Sequence, residues 1–406
     1  MFVHNTLLKK WGLNIGLTVA SLLMCLGIVE IGLRLFFPDE QLLYTGYQFS
    51  PTLLWVQKPY ARYTYRRPEF TTPMRYNSAG FRDHEYPLAK APGVFRLAVL
   101  GDSFTEAREV PLAASYPKVL EQRLNTEAGK KTYEVLNFGA VRYGTDQYLL
   151  RLQEQALAYH PDLIVVGMYA NDFVDNLKGL VKLDARQQLE LHPRLSFGQK
   201  LALKIKYYYI GGSLYSVEFL IRRLAQLPPL LQKWKAAAQP PPGPATPQIT
   251  GSTGEMKPGR NFPLDIQIYL RQESAPCTSM YRLQEALLQA IKEVGEQAQI
   301  PTVLVLFPEK FQLYASDRQQ LERQHQFTAA DYDVEKPQQA LARFAAAHKL
   351  PFLDLLPVFR RAGAEGPRLY FVIDGHINEA GHRVAAEAIF ELLRSKQLLS
   401  NIQRAS

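Results

Sequence analysis

Apolar residues are distributed along the chain as one long run near the N-terminus and several short runs further on. Residues 11–29 carry no charge, and the apolar character continues beyond them. At about 1.5 Å per residue, a helix of this length crosses a hydrocarbon core about 30 Å thick. We therefore predict a transmembrane helix over residues 11–37, with Lys9 and Lys10 marking residues 1–10 as cytoplasmic. A cleaved signal peptide is the alternative, although the run is long for one and no typical cleavage site follows it.

Five short apolar runs have the length and composition of strands that are buried on both faces of a parallel sheet. They are FRLAVL at 95–100, YEVLNF at 133–138, DLIVVGM at 162–168, TVLVLFP at 302–308 and PFLDLL at 351–356. Segments with helical periodicity fill the gaps, and this alternation is typical of an open sheet covered by helices on both faces. The pattern predicts an α/β domain with a five-stranded parallel sheet, whose ligands bind at the carboxyl ends of the strands.

The remaining segments define the predicted domain boundaries. Residues 38–90 are polar and aromatic, and we interpret them as a juxtamembrane segment that lies on the following domain. The α/β domain is expected over residues 91–402, interrupted by a basic, proline-rich insertion at 190–265.

Charge limits the choice of partners. The formal net charge is +9, and residues 195–260 hold nine lysines and arginines against two glutamates. The insertion is either a solvated helical excursion or a lid that contacts anionic headgroups or an acidic polysaccharide. The sequence contains no arginine-rich recognition helix and no zinc-finger spacing, so we expect no nucleic-acid partner.

The stretch AVLGDSFTEA at 98–107 contains the first candidate for chemistry. Gly101 permits a sharp turn after the first strand, and the helix that follows would bring its positive end close to Ser103. The Ser103 hydroxyl either caps this helix or acts as a nucleophile. A nucleophilic serine needs a base that takes its proton and a third group that orients the base.

His376 is the strongest candidate for that base among the eight histidines. It lies in YFVIDGHINEAGH at 370–382, where a strand-like apolar run leads into a turn and a helix is expected to begin. Asp374, two residues earlier, could hold one ring nitrogen of His376 and leave the other facing Ser103. We interpret His382 as a residue of the first turn of the helix.

Acyl transfer also needs hydrogen-bond donors for the oxyanion that develops on the carbonyl oxygen. Asn171 follows the third predicted strand and could supply a side-chain N–H group, or it could cap a helix or form an Asx turn. The glycine-bearing loop NFGAVRYGT at 137–145 could supply a backbone N–H group.

These four segments, in this order, resemble the SGNH (GDSL-type) hydrolase superfamily. The resemblance covers about residues 75–180 and 265–400, and NSAGFRD at 77–83 is similar to membrane-anchored members. It implies a flavodoxin-like, three-layer α/β/α fold. It also implies that Ser103 is the nucleophile, His376 the base and Asp374 the residue that orients the base. The oxyanion hole would be formed by Ser103, Arg142, Gly144 and Asn171.

The sequence departs from the family pattern at three places. Arg142 aligns best with the family's loop glycine, and Gly144 lies two positions further on. Tyr169 replaces the usual glycine of the third segment, which is expected to narrow the site. Asp374 and His376 are two positions apart rather than three. This spacing resembles alginate O-acetyltransferase-type relatives, so an acyltransferase remains an alternative.

We therefore predict a membrane-anchored serine esterase that removes small acyl groups, from a cell-envelope glycan or another ester, through an acyl-serine intermediate. The catalytic domain of this single-pass protein is expected on the exported side of the cell membrane, periplasmic or extracellular. No metal or organic cofactor is implied. One alternative is an O-acyltransferase that modifies an exported polysaccharide with the same triad. The other is a non-catalytic glycan-binding protein with the same fold.

Overall fold

The computed structural model describes residues 2–36, 46–127, 131–178, 180–191, 198 and 264–399. Most of the predicted insertion at 190–265 lies outside these residues, as do residues 37–45 and 400–402 of the other predicted segments. The chain divides into two compact units. The first unit holds the described residues 2–36, 46–49 and 198, and the second holds all the other described residues.

The first unit contains the long helix α1 (Phe2–Phe36). Its stretch Asn14–Leu33 has a mean hydropathy of 2.1, and none of it is buried inside the protein. The predicted N-terminal apolar helix is thus present and is long enough to cross a membrane, a test that a signal sequence also passes.

After α1, four strands come first, and from residue 94 onward strands and helices largely alternate. The described strands are β1 (Tyr47–Ser50), β2 (Leu54–Gln57), β3 (Arg62–Arg67), β4 (Phe70–Arg75), β5 (Val94–Gly101), β6 (Thr132–Gly139), β7 (Leu163–Met168), β8 (Val181–Leu183), β9 (Leu189–Leu191), β10 (Thr302–Leu306) and β11 (Phe352–Asp354). The described α-helices after α1 are α2 (Ser103–Glu106), α3 (Tyr116–Glu127), α4 (Thr145–Glu154), α5 (Asp172–Asp175), α6 (Leu264–Gln267), α7 (Ala275–Gln297), α8 (Lys310–Leu313), α9 (Ala315–His325), α10 (Lys336–Ala347), α11 (Leu356–Glu365) and α12 (Glu379–Ser395).

A five-stranded sheet with the order β11–β10–β7–β5–β6 forms the centre of this unit. Every neighbouring pair in it is parallel. This strand order is the flavodoxin-like one. The predicted α/β fold with a five-stranded parallel sheet is therefore confirmed, and each of the five apolar runs forms one of its strands.

Both faces of the sheet are covered, which explains why its strands are continuously apolar. Phe95, Leu97 and Val99 of β5 belong to a buried cluster that includes residues of α3, α11 and α12. Ala98 and Leu100 point to the opposite face and are also buried. Helix α3 packs on α12, and helix α4 packs on α7.

Two local expectations differ from the structure. The apolar run at 370–373 is not a strand but a loop, which closes through an isolated bridge between Tyr370 and Ile377. The Phe371 N–H donates to the His376 carbonyl oxygen, and the N–H groups of Val372 and Ile373 bind a side chain that is described below. The segment TDQYLLRLQEQALAYH at 145–160 is one of the stretches with helical periodicity between the predicted strands, but its α-helix, α4, ends at Glu154, and a 3-10 helix follows over Ala156–Tyr159.

Residues 50–90, which belong to the predicted juxtamembrane segment, lie in the same compact unit as the sheet. Within them, β3 and β4 pair as an antiparallel hairpin. The buried Asp83 carboxylate lies 2.6 Å from the Lys118 ammonium and accepts the N–H of Asn137 at 2.7 Å. This segment is therefore fastened to α3 and β6.

Candidate active site

The Ser103 hydroxyl lies at the first turn of α2, directly after β5. Gly101 is required in this turn because a Cβ atom on it would lie 1.9 Å from the Thr105 hydroxyl oxygen. Asp102 caps the helix, since its Oδ1 accepts the N–H of Phe104 at 2.9 Å. Ser103 itself is not the cap. Its Oγ makes a long contact of 3.5 Å with Asp102 Oδ2 and remains able to bind another group.

Ser103, His376 and Asp374 form a continuous hydrogen-bonded chain. The Ser103 Oγ lies 2.8 Å from His376 Nε2. The other ring nitrogen, Nδ1, lies 2.6 Å from Asp374 Oδ1, which also accepts the backbone N–H of His376 at 2.9 Å. The carboxylate thus holds the proton on Nδ1 and leaves Nε2 to accept the serine proton, as a serine nucleophile requires.

The loop that carries Asp374 is held by Glu69, between β3 and β4. The Glu69 carboxylate accepts hydrogen bonds of 2.5 to 2.8 Å from three consecutive backbone N–H groups, those of Val372, Ile373 and Asp374. The Phe70 ring also contacts the Phe371 ring, with centroids 4.9 Å apart. Sequence reasoning missed Glu69 because it lies more than 300 residues from its partners and belongs to no local motif.

Glu109 is a second carboxylate beside the imidazole that sequence reasoning missed. Its Oε1 lies 3.5 Å from His376 Nδ1. The residue is only 2% exposed, and neither carboxylate oxygen accepts a hydrogen bond from any residue that the structure describes. The chain Thr-Glu-Ala-Arg-Glu after Ser103 contains this residue, but nothing in its spacing distinguishes Glu109 from a solvated glutamate.

The charges around His376 favour its protonated form. Burial opposes protonation, but the carboxylates of Glu109 and Asp374 outweigh it and raise the pKa of His376 to about 9. Burial also acts against the charge of Asp374, yet the hydrogen bond and charge of His376 keep the pKa of Asp374 below its usual value. Burial raises the pKa of Asp102 to about 7.

Asn171 lies beside the turn of the nucleophile, because its side chain is close enough to the Asp102 carboxylate to lower the pKa of Asp102 against the larger effect of burial. Its Nδ2 also donates to Asp175 Oδ2 at 3.0 Å, while its buried Oδ1 has no hydrogen-bond partner among the described residues. The side chain does not cap α5. Asn171 is thus close to the Ser103 turn, and one of the two hydrogens on its Nδ2 already binds Asp175.

The two loop residues predicted for the oxyanion hole differ in their environments. Arg142 is exposed and has φ of +58°. This is the left-handed region, which the family's glycine would adopt without a steric penalty. The Gly144 N–H donates to Gln147 Oε1 at 3.3 Å, and a Cβ atom on Gly144 would lie 2.6 Å from Asn176 Oδ1. The N–H group of Gly144 is therefore already engaged within α4.

Tyr169 fills space beside the nucleophile helix. Its ring stacks on Phe104 with centroids 4.0 Å apart, and its hydroxyl donates to the Glu309 carboxylate. Burial raises the pKa of Glu309 to about 7. A glycine at position 169 would leave the volume of the Tyr169 ring empty. Tyr169 therefore narrows the space beside the nucleophile helix compared with the family pattern.

Three side chains in this region are of types that can bind metals, but their contacts with one another already account for their positions, and they are not assigned as metal ligands. Ligand atoms of Glu109, Asp374 and His376 all lie within 4.8 Å of one another. A cation bound there would take the His376 nitrogen that contacts Asp374, so binding would compete with the Ser103–His376–Asp374 chain.

Comparisons with known proteins identify the family to which these segments belong. The model of the GDSL-like lipase/acylhydrolase family matches residues 99–384. A search of curated proteins gave no match.

Solved structures with a similar fold include three esterase or lipolytic proteins. An acetyl xylan esterase is 13% identical over 73% of this chain and 98% of its own, with a TM-score of 0.39. A catalytic mutant of an acetylxylan esterase from Geobacillus stearothermophilus is 12% identical over 74% and 94%, with a TM-score of 0.38. A lipolytic protein of the G-D-S-L family from Veillonella parvula is 12% identical over 74% and 98%, with a TM-score of 0.36.

Likenesses of this size do not identify a substrate. The family match, by contrast, covers more than half of the chain and includes the segments of both Ser103 and His376. The resemblance to the SGNH (GDSL-type) superfamily is confirmed: the chain belongs to the GDSL-like lipase/acylhydrolase family and is an ester hydrolase.

Proposed function

We propose that this ester hydrolase is a membrane-anchored serine esterase that removes small acyl groups, with Ser103 as nucleophile, His376 as base and Asp374 as the residue that orients the base. The observation that carries the proposal is the hydrogen-bonded chain from Ser103 Oγ through His376 to Asp374, with distances of 2.8 and 2.6 Å. A serine with such a base attacks an ester carbonyl and forms an acyl-serine intermediate.

The reaction has two steps in this proposal. His376 Nε2 takes the Ser103 proton while Oγ bonds to the carbonyl carbon, and the resulting imidazolium returns that proton to the departing alcohol. Water then enters, and His376 Nε2 takes one of its protons while the water oxygen bonds to the acyl carbon. The imidazolium returns that proton to Ser103 Oγ as the bond between Oγ and the acyl carbon breaks and the acid leaves. The developing oxyanion is bound by the Ser103 backbone N–H, the N–H of Arg142 and the Asn171 amide.

Two observations support small acyl groups and an envelope location. The stack of Tyr169 on Phe104 reduces the space beside the nucleophile, which favours a short acyl chain over a long one. The apolar helix segment Asn14–Leu33 supports a membrane anchor, and Lys9 and Lys10 before it favour export of the catalytic domain. An acylated cell-envelope glycan is the proposed substrate class.

Labelling with a fluorophosphonate probe tests the nucleophile. We expect the full chain to be labelled and Ser103→Ala to lose the label, because the probe traps a serine that a base activates. Ser316→Ala is the matched control, since Ser316 is exposed on α9 and should leave labelling unchanged. Equal labelling of the parent and Ser103→Ala would refute the assignment.

Turnover of a small acetyl ester distinguishes hydrolysis from transfer. We expect acetate release by the parent without a glycan acceptor and its loss in Ser103→Ala. Turnover that requires a polysaccharide acceptor, with negligible release of acetate to water, would instead favour an O-acyltransferase.

A further inference from the structure

The position of Glu109 is the least expected feature of the site. A buried carboxylate without a hydrogen bond is energetically costly unless an opposite charge lies near it. The nearest such charge is that of His376 when protonated, because Nδ1 lies 3.5 Å from Glu109 Oε1. The same nitrogen binds Asp374 at 2.6 Å, so two carboxylates face one side of a single imidazole.

The backbone around Glu109 is fixed from outside the α2 segment. The buried Arg82 guanidinium donates to the carbonyl oxygens of three residues in this turn, Glu106, Ala107 and Val110. The Thr72 hydroxyl donates to the carbonyl oxygen of Glu109 itself at 3.2 Å. The carboxylate is therefore held in place against the imidazole rather than left free to reach solvent.

We propose that Glu109 is a second carboxylate partner of His376, a positioning residue that stabilises the imidazolium formed when Ser103 gives up its proton. The proposal rests on the assignment of His376 as the base. Asp374 fixes the orientation of the ring through a short hydrogen bond, while Glu109 adds negative charge at the same nitrogen without occupying its proton. The two carboxylates thus have separate tasks.

The charge of Glu109 affects the pH at which His376 can act as the base. The charge of Glu109 contributes to the raised His376 pKa of about 9, so the free enzyme at neutral pH holds mostly imidazolium. Only the neutral ring accepts the Ser103 proton, so kcat/KM should rise with pH up to about 9. Other charged or titratable groups that act on His376 are Asp374, Asp102, Glu309 and His382. Arg67 faces Asp374, Arg82 faces Glu109 and His382, and Tyr65 faces Glu109 and Asp374.

The first experiment measures the protonation of His376 without requiring catalysis. Full-length Ser103→Ala protein with 13C-labelled histidine is titrated by NMR in detergent micelles containing EDTA, and the His376 signal is assigned by its loss in His376→Asn. We expect the pKa of His376 to fall by at least one unit when Glu109→Gln is added. Glu387→Gln, the same change at an exposed site on α12, is the control and should leave that pKa unchanged.

The second experiment measures the pH profile of kcat/KM for acetyl ester hydrolysis with Ser103 intact. Glu109→Gln should move the ascending limb down by at least one pH unit and lower the plateau above pH 9 about tenfold, since one pKa unit corresponds to a factor of ten. Glu109→Asp, which keeps the charge at a greater distance, should shift the limb less. Glu109→Asp also serves if Glu109→Gln does not fold.

The outcomes separate this inference from the proposed function. A His376 pKa that is the same in the parent, Glu109→Gln and Glu109→Asp would overturn the role of Glu109, even if Ser103-dependent hydrolysis were present. A lowered pKa together with absent Ser103-dependent hydrolysis would leave the pairing of Glu109 with His376 intact and refute the esterase mechanism instead.

Discussion

Two histidines, the partly exposed His376 and the buried His382, show how the surroundings of a residue decide its charge. Carboxylates on one side of His376 raise its pKa to about 9 despite burial. At His382, burial, together with the positive charges of Arg82 and His376, lowers the pKa to about 3. Its neutral Nδ1 accepts the Tyr116 N–H at 3.2 Å, and the two rings stack. The same residue type thus serves as a candidate base in one place and as a neutral packing group in the other.

This difference predicts a pH dependence of stability. Unfolded His382 takes up a proton near pH 6.5, while the folded residue stays neutral down to about pH 3, so His382 reduces stability as pH falls between these values. His382→Asn keeps an acceptor for Tyr116 but does not titrate. We expect the free energy of unfolding of His382→Asn to fall less steeply than that of the parent between pH 6 and pH 4. The two slopes should differ by about 1.4 kcal/mol per pH unit.

Urea unfolding of the full chain at several pH values in this interval measures the slope. His160→Asn is the control, because the side chain of His160 is exposed in the folded protein. Parallel curves for the parent and His382→Asn would contradict the buried neutral state of His382.

At the scale of elements, the β3–β4 hairpin shapes the site although it lies outside the residues that the family model matches. Glu69 at its turn binds three N–H groups of the loop that carries Asp374. Thr72 on β4 binds the Glu109 carbonyl oxygen. One hairpin therefore holds the backbone on both sides of the imidazole.

The hairpin contact predicts a loss of rate when Glu69 is changed to Gln. The amide offers one acceptor oxygen where the carboxylate offers two, and its NH2 group opposes the loop N–H groups. Hydrogen bonds to charged acceptors are worth about 1.5–3 kcal/mol, so we expect kcat to fall about tenfold or more with little change in KM. Glu85→Gln is the matched control, because Glu85 binds Ser78 and not the loop.

Steady-state kinetics on a small acetyl ester distinguishes a slower reaction in the folded enzyme from a smaller amount of folded enzyme. A role limited to folding would lower the melting temperature and the active fraction without changing kcat per labelled serine. A Glu69→Gln protein with full kcat per labelled serine would show that the loop does not need this carboxylate.

Strands and turns that have a characteristic local sequence could be predicted. Contacts between residues far apart in the chain could not. The strands of the sheet are short apolar runs, and Ser103, Asp374 and His376 stand in turns whose sequences mark them. Glu69 and Glu109 act through contacts with residues more than 260 positions away, and their neighbours in sequence look like solvated surface. The loop at 370–373 resembles a strand in sequence because its residues are apolar. The sequence of the loop does not indicate that the Glu69 carboxylate binds the N–H groups of Val372 and Ile373.

At the scale of the whole molecule, the question is whether helix α1 stays with the catalytic unit. Its stretch Asn14–Leu33 fits both a membrane anchor and a signal sequence. These alternatives predict different molecules, one that keeps the helix in the bilayer and one that loses it during export. The mass of the mature chain and its fractionation therefore distinguish them.

We expect the full chain, expressed with a C-terminal tag, to remain in the membrane pellet after alkaline carbonate extraction and to retain residues 2–36 by intact mass, since an uncleaved helix of this hydropathy stays in the hydrocarbon core. A reporter that functions only after export should be active when fused after residue 45 and inactive when fused after residue 10, which precedes the apolar run. A soluble, shortened chain would identify a cleaved signal peptide. An inactive fusion at residue 45 would place the ester hydrolase in the cytoplasm, where an exported glycan would not be its substrate.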